Sequence, residues 1–153
     1  SDKAELKVDT AKAMDNFKKA DPNIQAFLDK SYGYAVFPTV GKGAIGVGGA
    51  YGRGEVYEQG KMIGYCDLTQ ATIGFQLGGQ AYSELIAFED KASLDRFTSG
   101  EFSFAAQASA VALKSGATAN AKFKDGVAVF TTGESGLMYE ASIGGQKFSF
   151  VRK

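Results

Sequence analysis

The sequence predicts a single α+β domain: a strongly curved antiparallel sheet or small barrel, packed with two N-terminal helices and one short middle helix. Three observations carry this. Residues 1–32 follow a helical apolar period, residues 33–153 alternate with period two between turn signals, and two of the strands are nearly bare of side chains on one face. One domain over residues 1–153 is the expected organisation, long enough to bury about 70% of its unfolded surface.

The elements follow in chain order. Asp2 and Glu5, three apart, read as a capping box, and Leu6, Thr10, Ala13, Met14 and Phe17 then recur on one helical face. Asp21-Pro22 reads as an N-cap followed by proline at the first helical position, so a second helix is expected to start there. Its apolar stripe is Ile24, Phe27 and Leu28, and Gly33 lies past its end. Residues 34–40, YAVFPTV, open the strand pattern, and residues 58–61, EQGK, mark a turn. Asp90 is placed to cap a short helix over 90–99 through Leu94 and Phe97, ended by Gly100. Residues 102–113, 119–133 and 136–151 read as further strands, with Asp125-Gly126 and Gly144-Gly145 as hairpin turns.

The glycine-rich strands decide what the domain is for. Residues 41–54, GKGAIGVGGAYGRG, begin with G-x-G-x-x-G, the phosphate-binding pattern of dinucleotide folds. That pattern needs a helix after it, and here a period-two run follows: Ile45, Val47, Gly49, Tyr51 and Arg53 on one side, Ala44, Gly46, Gly48, Ala50, Gly52 and Gly54 on the other. With no helix N-terminus there is no dipole for a pyrophosphate, so no nucleotide is expected. A P-loop is also absent, since five residues separate Gly54 from Gly60-Lys61 and Met62 stands where a magnesium-binding hydroxyl belongs. The steric explanation is better: glycine inside a strand lets another backbone approach or lets the sheet bend. Residues 71–86 repeat the arrangement, with Gln76 and Gln80 on the glycine-lined face.

Composition removes most other chemistry. There is no histidine, which excludes Ser-His-Asp and Cys-His arrangements, H-E-x-x-H and imidazole metal sites. The one cysteine, Cys66, permits no internal disulfide or thiolate cluster and reads as a packed thiol. Glu84, Glu134 and Glu140 are scattered, with no spacing that marks an acid/base pair. No catalytic residue, metal or cofactor is expected. Seventeen basic residues balance seventeen acidic ones, so the basic excess of a nucleic-acid-binding domain is missing. No apolar run approaches the roughly 20 residues of a membrane-spanning helix. Starting at Ser1 without methionine, the chain reads as a mature or trimmed product.

Four stretches carry a likeness to a known family. They are residues 33–37 (GYAVF), residues 46–54 (GVGGAYGRG), residues 74–80 (GFQLGGQ) and residues 136–144 (GLMYEASIG), in that order. On these the chain resembles the SYLF domain over about residues 20–150. The resemblance implies a non-enzymatic module that binds anionic lipids and phosphoinositides, with actin as a further partner of some eukaryotic relatives. It also implies lipid contact through a basic amphipathic N-terminal segment. The compact form resembles the bacterial branch, whose members are often exported. That implies a place in the periplasm or on the outer-membrane surface, with an anchoring lipidated cysteine upstream of this chain. The alternative is a cell-envelope structural or protein-interaction domain without specific lipid binding.

The candidate lipid-binding residues follow. Lys3, Lys7, Lys12, Lys18 and Lys19 lie on the N-terminal helix among Asp2, Glu5, Asp9 and Asp15, so its polar face is near neutral and packing on the core competes with membrane contact. Arg53 suits either the forked bonds of a phosphate or an ion pair with Glu55 or another acid. Gln76 and Gln80 suit a polar headgroup pocket or bonds to neighbouring backbone. Lys122 and Lys124 point the same way near a hairpin tip, and Lys147, Arg152 and Lys153 add charge at the C-terminus. Each such cation near an anionic surface contributes about 1 kcal/mol.

Overall fold

The computed structural model describes residues 2–41, 49–70, 81–100, 102–103, 110–133 and 145–153. Leu6, Thr10, Ala13 and Phe17, spaced three or four apart, form the buried stripe of helix α1 (Asp2–Ala20). Acids in its first turn and Lys18 and Lys19 in its last complement the helix dipole. Helix α2 (Ile24–Asp29) buries Ile24, Phe27 and Leu28. It begins two residues later than the Asp-Pro signal suggests, with Asn23 as its N-cap. The Asp21 carboxylate is engaged elsewhere. It accepts the Asn23 N–H at 3.1 Å and reaches across the chain to the Thr118 N–H and hydroxyl at 2.8 and 2.6 Å. Helix α3 (Lys91–Thr98) starts as expected: Asp90 Oδ1 accepts the Ser93 N–H at 2.9 Å, and Gly100 follows its end with φ 79°.

The sheet has seven strands: β1 (Gly33–Gly41), β2 (Ala50–Glu58), β3 (Lys61–Gln70), β4 (Tyr82–Phe88), β5 (Val111–Ala112), β6 (Val127–Gly133) and β7 (Gln146–Arg152). Their order is β5-β6-β4-β1-β2-β3-β7. All pairings are antiparallel except the two-residue contact of β5 with β6, which makes the sheet mixed. Among the described residues it does not close into a barrel. The turn at Gln59-Gly60 takes φ of 50° and 82°, and that at Asp125-Gly126 takes 54° and 84°, the paired left-handed geometry of a tight hairpin. Residues 117–120 form a 3₁₀ turn, which presents Thr118 to Asp21 and takes in Ala119 and Asn120, the first two residues of a run expected to be a strand.

Curvature is visible in side-chain reach. In a flat sheet β4 and β7 would lie about 19 Å apart, four strand spacings. Here Gln146 of β7 bonds Glu84 of β4 at 2.8 Å, and the Phe148 and Phe37 rings approach to 5.9 Å. The sheet therefore curls so that its inner face meets itself. The bare face of β2 permits this. A side chain at Gly52 would put its Cβ 2.9 Å from the Thr39 carbonyl oxygen, and one at Gly54 would collide with the Val36 carbonyl oxygen of β1. The glycines are there for close backbone approach, and the neighbouring backbone is β1. Of the residues after the G-x-G-x-x-G pattern, Ala50–Glu58 form strand β2.

Two apolar layers result. Inside the curl, Phe37, Val56, Leu68, Ile86, Phe148 and their neighbours pack with Leu94 and Phe97 of α3. Outside it, Val36, Leu85 and Phe130 pack with Phe17 of α1 and Phe27 of α2. Helix α1 lies across the outer face, on β1 and β2, with Lys3 Nζ 4.8 Å from the Tyr65 ring centre on β3.

Candidate functional site

Two sets of polar residues stand out, one on the surface and one inside. The surface set begins with α1. Lys3, Lys7, Lys12, Lys18 and Lys19 are all exposed. Lys7, Lys12, Lys18 and Lys19 enter none of the ion pairs among the described residues. At about 100° per residue, Lys3, Lys7 and Lys18 fall along one flank of the helix, while Asp2, Glu5 and Asp9 fall along the other. The charges that cancel in the sequence are thus partly separated in space. The apolar stripe of α1 is spent on the sheet, and Val8 is the large apolar side chain it leaves exposed, at 54%. No described helix is long and apolar enough to cross a membrane.

Arg53 is exposed on the outer face of β2. Its Nε donates to Asp67 Oδ1 at 3.2 Å, and Tyr51 donates its hydroxyl to the same oxygen at 2.9 Å. Asp67 is the residue opposite Arg53 in the β2–β3 register, closer than Glu55 two residues along the same strand. Glu55 is buried and accepts the Tyr57 hydroxyl at 2.6 Å. Lys122 and Lys124 are exposed beside the Asp125-Gly126 turn and unpaired among the described residues. Lys147, Arg152 and Lys153 are exposed on and after β7. Lys3 stands over Tyr65, which is opposite Val151 in the β3–β7 register, so this end of α1 lies towards the Arg152 end of β7. Gln76 and Gln80 lie outside the described residues.

Cys66 is 2% exposed, and burial pushes its thiol well above the ordinary value, so it is a packed thiol as expected. Among the described residues no cluster of three or more carboxylate or cysteine side chains is suited to a metal.

The inner set is one that the sequence does not reveal. At one end of the curl, Gln70 of β3, Tyr82 and Glu84 of β4 and Gln146 of β7 form a buried polar layer. Gln146 Nε2 donates to Glu84 Oε1 at 2.8 Å and to Gln70 Oε1 at 3.1 Å, and lies 3.3 Å from the Tyr82 hydroxyl. Burial pushes the Glu84 carboxyl up to about 7, opposed in part by the bonds from Gln146 and Tyr82. Burial and the neighbouring Glu84 charge also raise the Tyr82 phenol. Register is what assembles this layer: Gln70 stands opposite Gln146, and the curl brings β4 over both. A polar residue facing inward on each of three strands was the available signal, but it becomes one only once the strand order is known.

The architecture is that of a small α+β domain whose glycine-lined strand lets the sheet roll, with a lysine-bearing helix across its back. A sequence model of the Ysc84 family, described as Las17-binding protein actin regulator, matches residues 69–152, more than half of the chain. The chain belongs to this family, the SYLF-domain family. It is 33% identical over 132 residues to Beta cell expansion factor A of Aeromonas veronii, an alignment that covers 83% of this chain and 49% of that protein. The chain spans about half the length of this relative.

Proposed function

We propose that the chain is a non-enzymatic membrane-binding module that associates with anionic lipid, phosphoinositide included, through the lysine flank of α1. The observation that carries this is the set of exposed lysines 3, 7 and 18 on one side of a helix whose acids Asp2, Glu5 and Asp9 lie on the other, with Asp15 between the two flanks. Net charge is zero, so attraction to a bilayer must come from such local separation and must weaken with salt. Family membership and the absence of histidine support a binding role over catalysis. The reading extends to location: an exported bacterial protein at the periplasmic or outer-membrane surface, held by a lipidated cysteine upstream of this chain.

Flotation with neutral vesicles, anionic vesicles and anionic vesicles carrying phosphoinositide, each at low and high salt, tests it. Salt-sensitive flotation with the anionic vesicles is the expected result. The reading fails if the protein stays at the bottom with every vesicle. A second reading, a cell-envelope protein-interaction domain, is favoured by the family description, which names binding to a protein and regulation of actin. Val151, 68% exposed on the end strand β7, is the most exposed large apolar residue among those described and the first position to alter under that reading.

A further inference from the structure

The buried polar layer is short of positive charge. Three oxygens from two strands, Glu84 Oε1, Gln70 Oε1 and Tyr82 Oη, converge on the single nitrogen Gln146 Nε2 at 2.8–3.3 Å. An amide nitrogen carries two protons for these three oxygens, and the further donor in the layer, the Tyr82 hydroxyl, reaches Glu84 Oε1 only at 3.5 Å. Two further buried oxygens, Glu84 Oε2 and Gln146 Oε1, have no hydrogen-bond partner. With the Glu84 carboxyl ionised both are acceptors, and both belong to residues with 0% exposure. No lysine or arginine among the described residues bonds to Glu84. Leaving such groups unmatched in a low-dielectric interior is costly, and native folds rarely do so without a ligand, ion or water in reach.

We propose that this layer is a binding site for one hard cation of the sodium or calcium kind, held by Glu84, Gln146, Gln70 and Tyr82. One carboxylate with neutral amide and phenol oxygens is the donor chemistry of sodium and calcium, and it lacks the thiolate and imidazole that zinc or copper select. The ion supplies what the side chains lack: it satisfies the two unmatched oxygens together and neutralises the Glu84 charge. The cation would tie β3, β4 and β7 at the end of the curl where the Gln146 amide reaches across to Glu84.

The test is a set of thermal melts on the whole chain after treatment with chelator and dialysis into a tetramethylammonium buffer. Sodium, potassium, magnesium and calcium chlorides are added at matched ionic strength to wild type and to Glu84→Gln, which keeps the shape and removes the charge. At a hundredfold excess over its dissociation constant, sodium or calcium should raise the wild-type Tm by about 5–10 °C. The same addition should leave Glu84→Gln within the shift given by tetramethylammonium. Which of the two salts acts identifies the ion. A wild type that responds to neither sodium nor calcium overturns the proposal, as does an equal response in Glu84→Gln. Equilibrium dialysis of wild type against the active cation needs no variant: one site per chain supports the proposal, and none overturns it.

Discussion

At Gly54 a side chain is forbidden by a neighbouring backbone, whereas at Gly60 only the φ of 82° disfavours one and no atom lies within 4 Å. The two positions therefore separate steric exclusion from backbone strain. Gly60→Ala should cost about 1 kcal/mol, the ordinary penalty for a left-handed non-glycine residue. Gly54→Ala should cost about 3 kcal/mol or more, because β1 must move as a whole to admit the methyl group. Urea unfolding of the two variants measures this, and equal losses would show that the close approach of β1 and β2 does not set the curl. Asp21 makes a second prediction. Burial alone would raise its carboxyl, but the bonds from Thr118 and Asn23 hold it below the usual aspartate value. A lowered folded pKa contributes stability above the unfolded pKa and loses it as pH falls through the folded one. Asp21→Asn should therefore cost about 2 kcal/mol at pH 7, a gap that narrows below about pH 4. A gap that is constant from pH 7 to pH 3 would show that the charge is not what Thr118 recognises.

At the scale of elements, α1 has one apolar stripe and two uses for it. Packed on β1 and β2, the stripe is unavailable to a bilayer, so a docked α1 can meet lipid only through its lysines and Val8. Replacing Lys3, Lys7 and Lys18 with glutamine should then weaken binding to anionic vesicles by about 3 kcal/mol, roughly 150-fold. Neutralising Lys12 and Lys19, which sit nearer the acidic flank, should weaken it less. Vesicle titrations of the two variants at low salt measure the difference, and equal losses would count against a lysine flank. Phe17→Ala, which empties a fully buried site between α1 and the sheet, should cost about 3–4 kcal/mol in stability. The helices were legible because their signal is local: Leu6, Thr10, Ala13 and Phe17 announce one face within three turns, and Asp90 caps within four residues. The Asp21-Pro22 start was misread for the opposite reason, since the partner of Asp21 is 97 residues away.

For the molecule as a whole, the curl was legible in the one-sided glycines of residues 50–54, because a bare face needs no partner to be seen. The polar layer was not, because Gln70 and Gln146 are 76 residues apart and each reads as an ordinary polar residue at a strand end. Glu84 read as a scattered acid until β4 was placed over β7. The pairing of Arg53 with Asp67 likewise needed the β2–β3 register. The short β5 carries no pattern that two residues could show, and it alone makes the sheet mixed.

The sole cysteine turns this architecture into its own timekeeper. Cys66 sits on the inner face of the curl, with a thiol that a water-soluble disulfide reagent cannot reach while β2 and β3 are closed around it. Its labelling rate thus reports how often the roll opens, without any engineered probe. A loss of 3 kcal/mol at Gly54 should speed that labelling about 150-fold when opening is in rapid equilibrium.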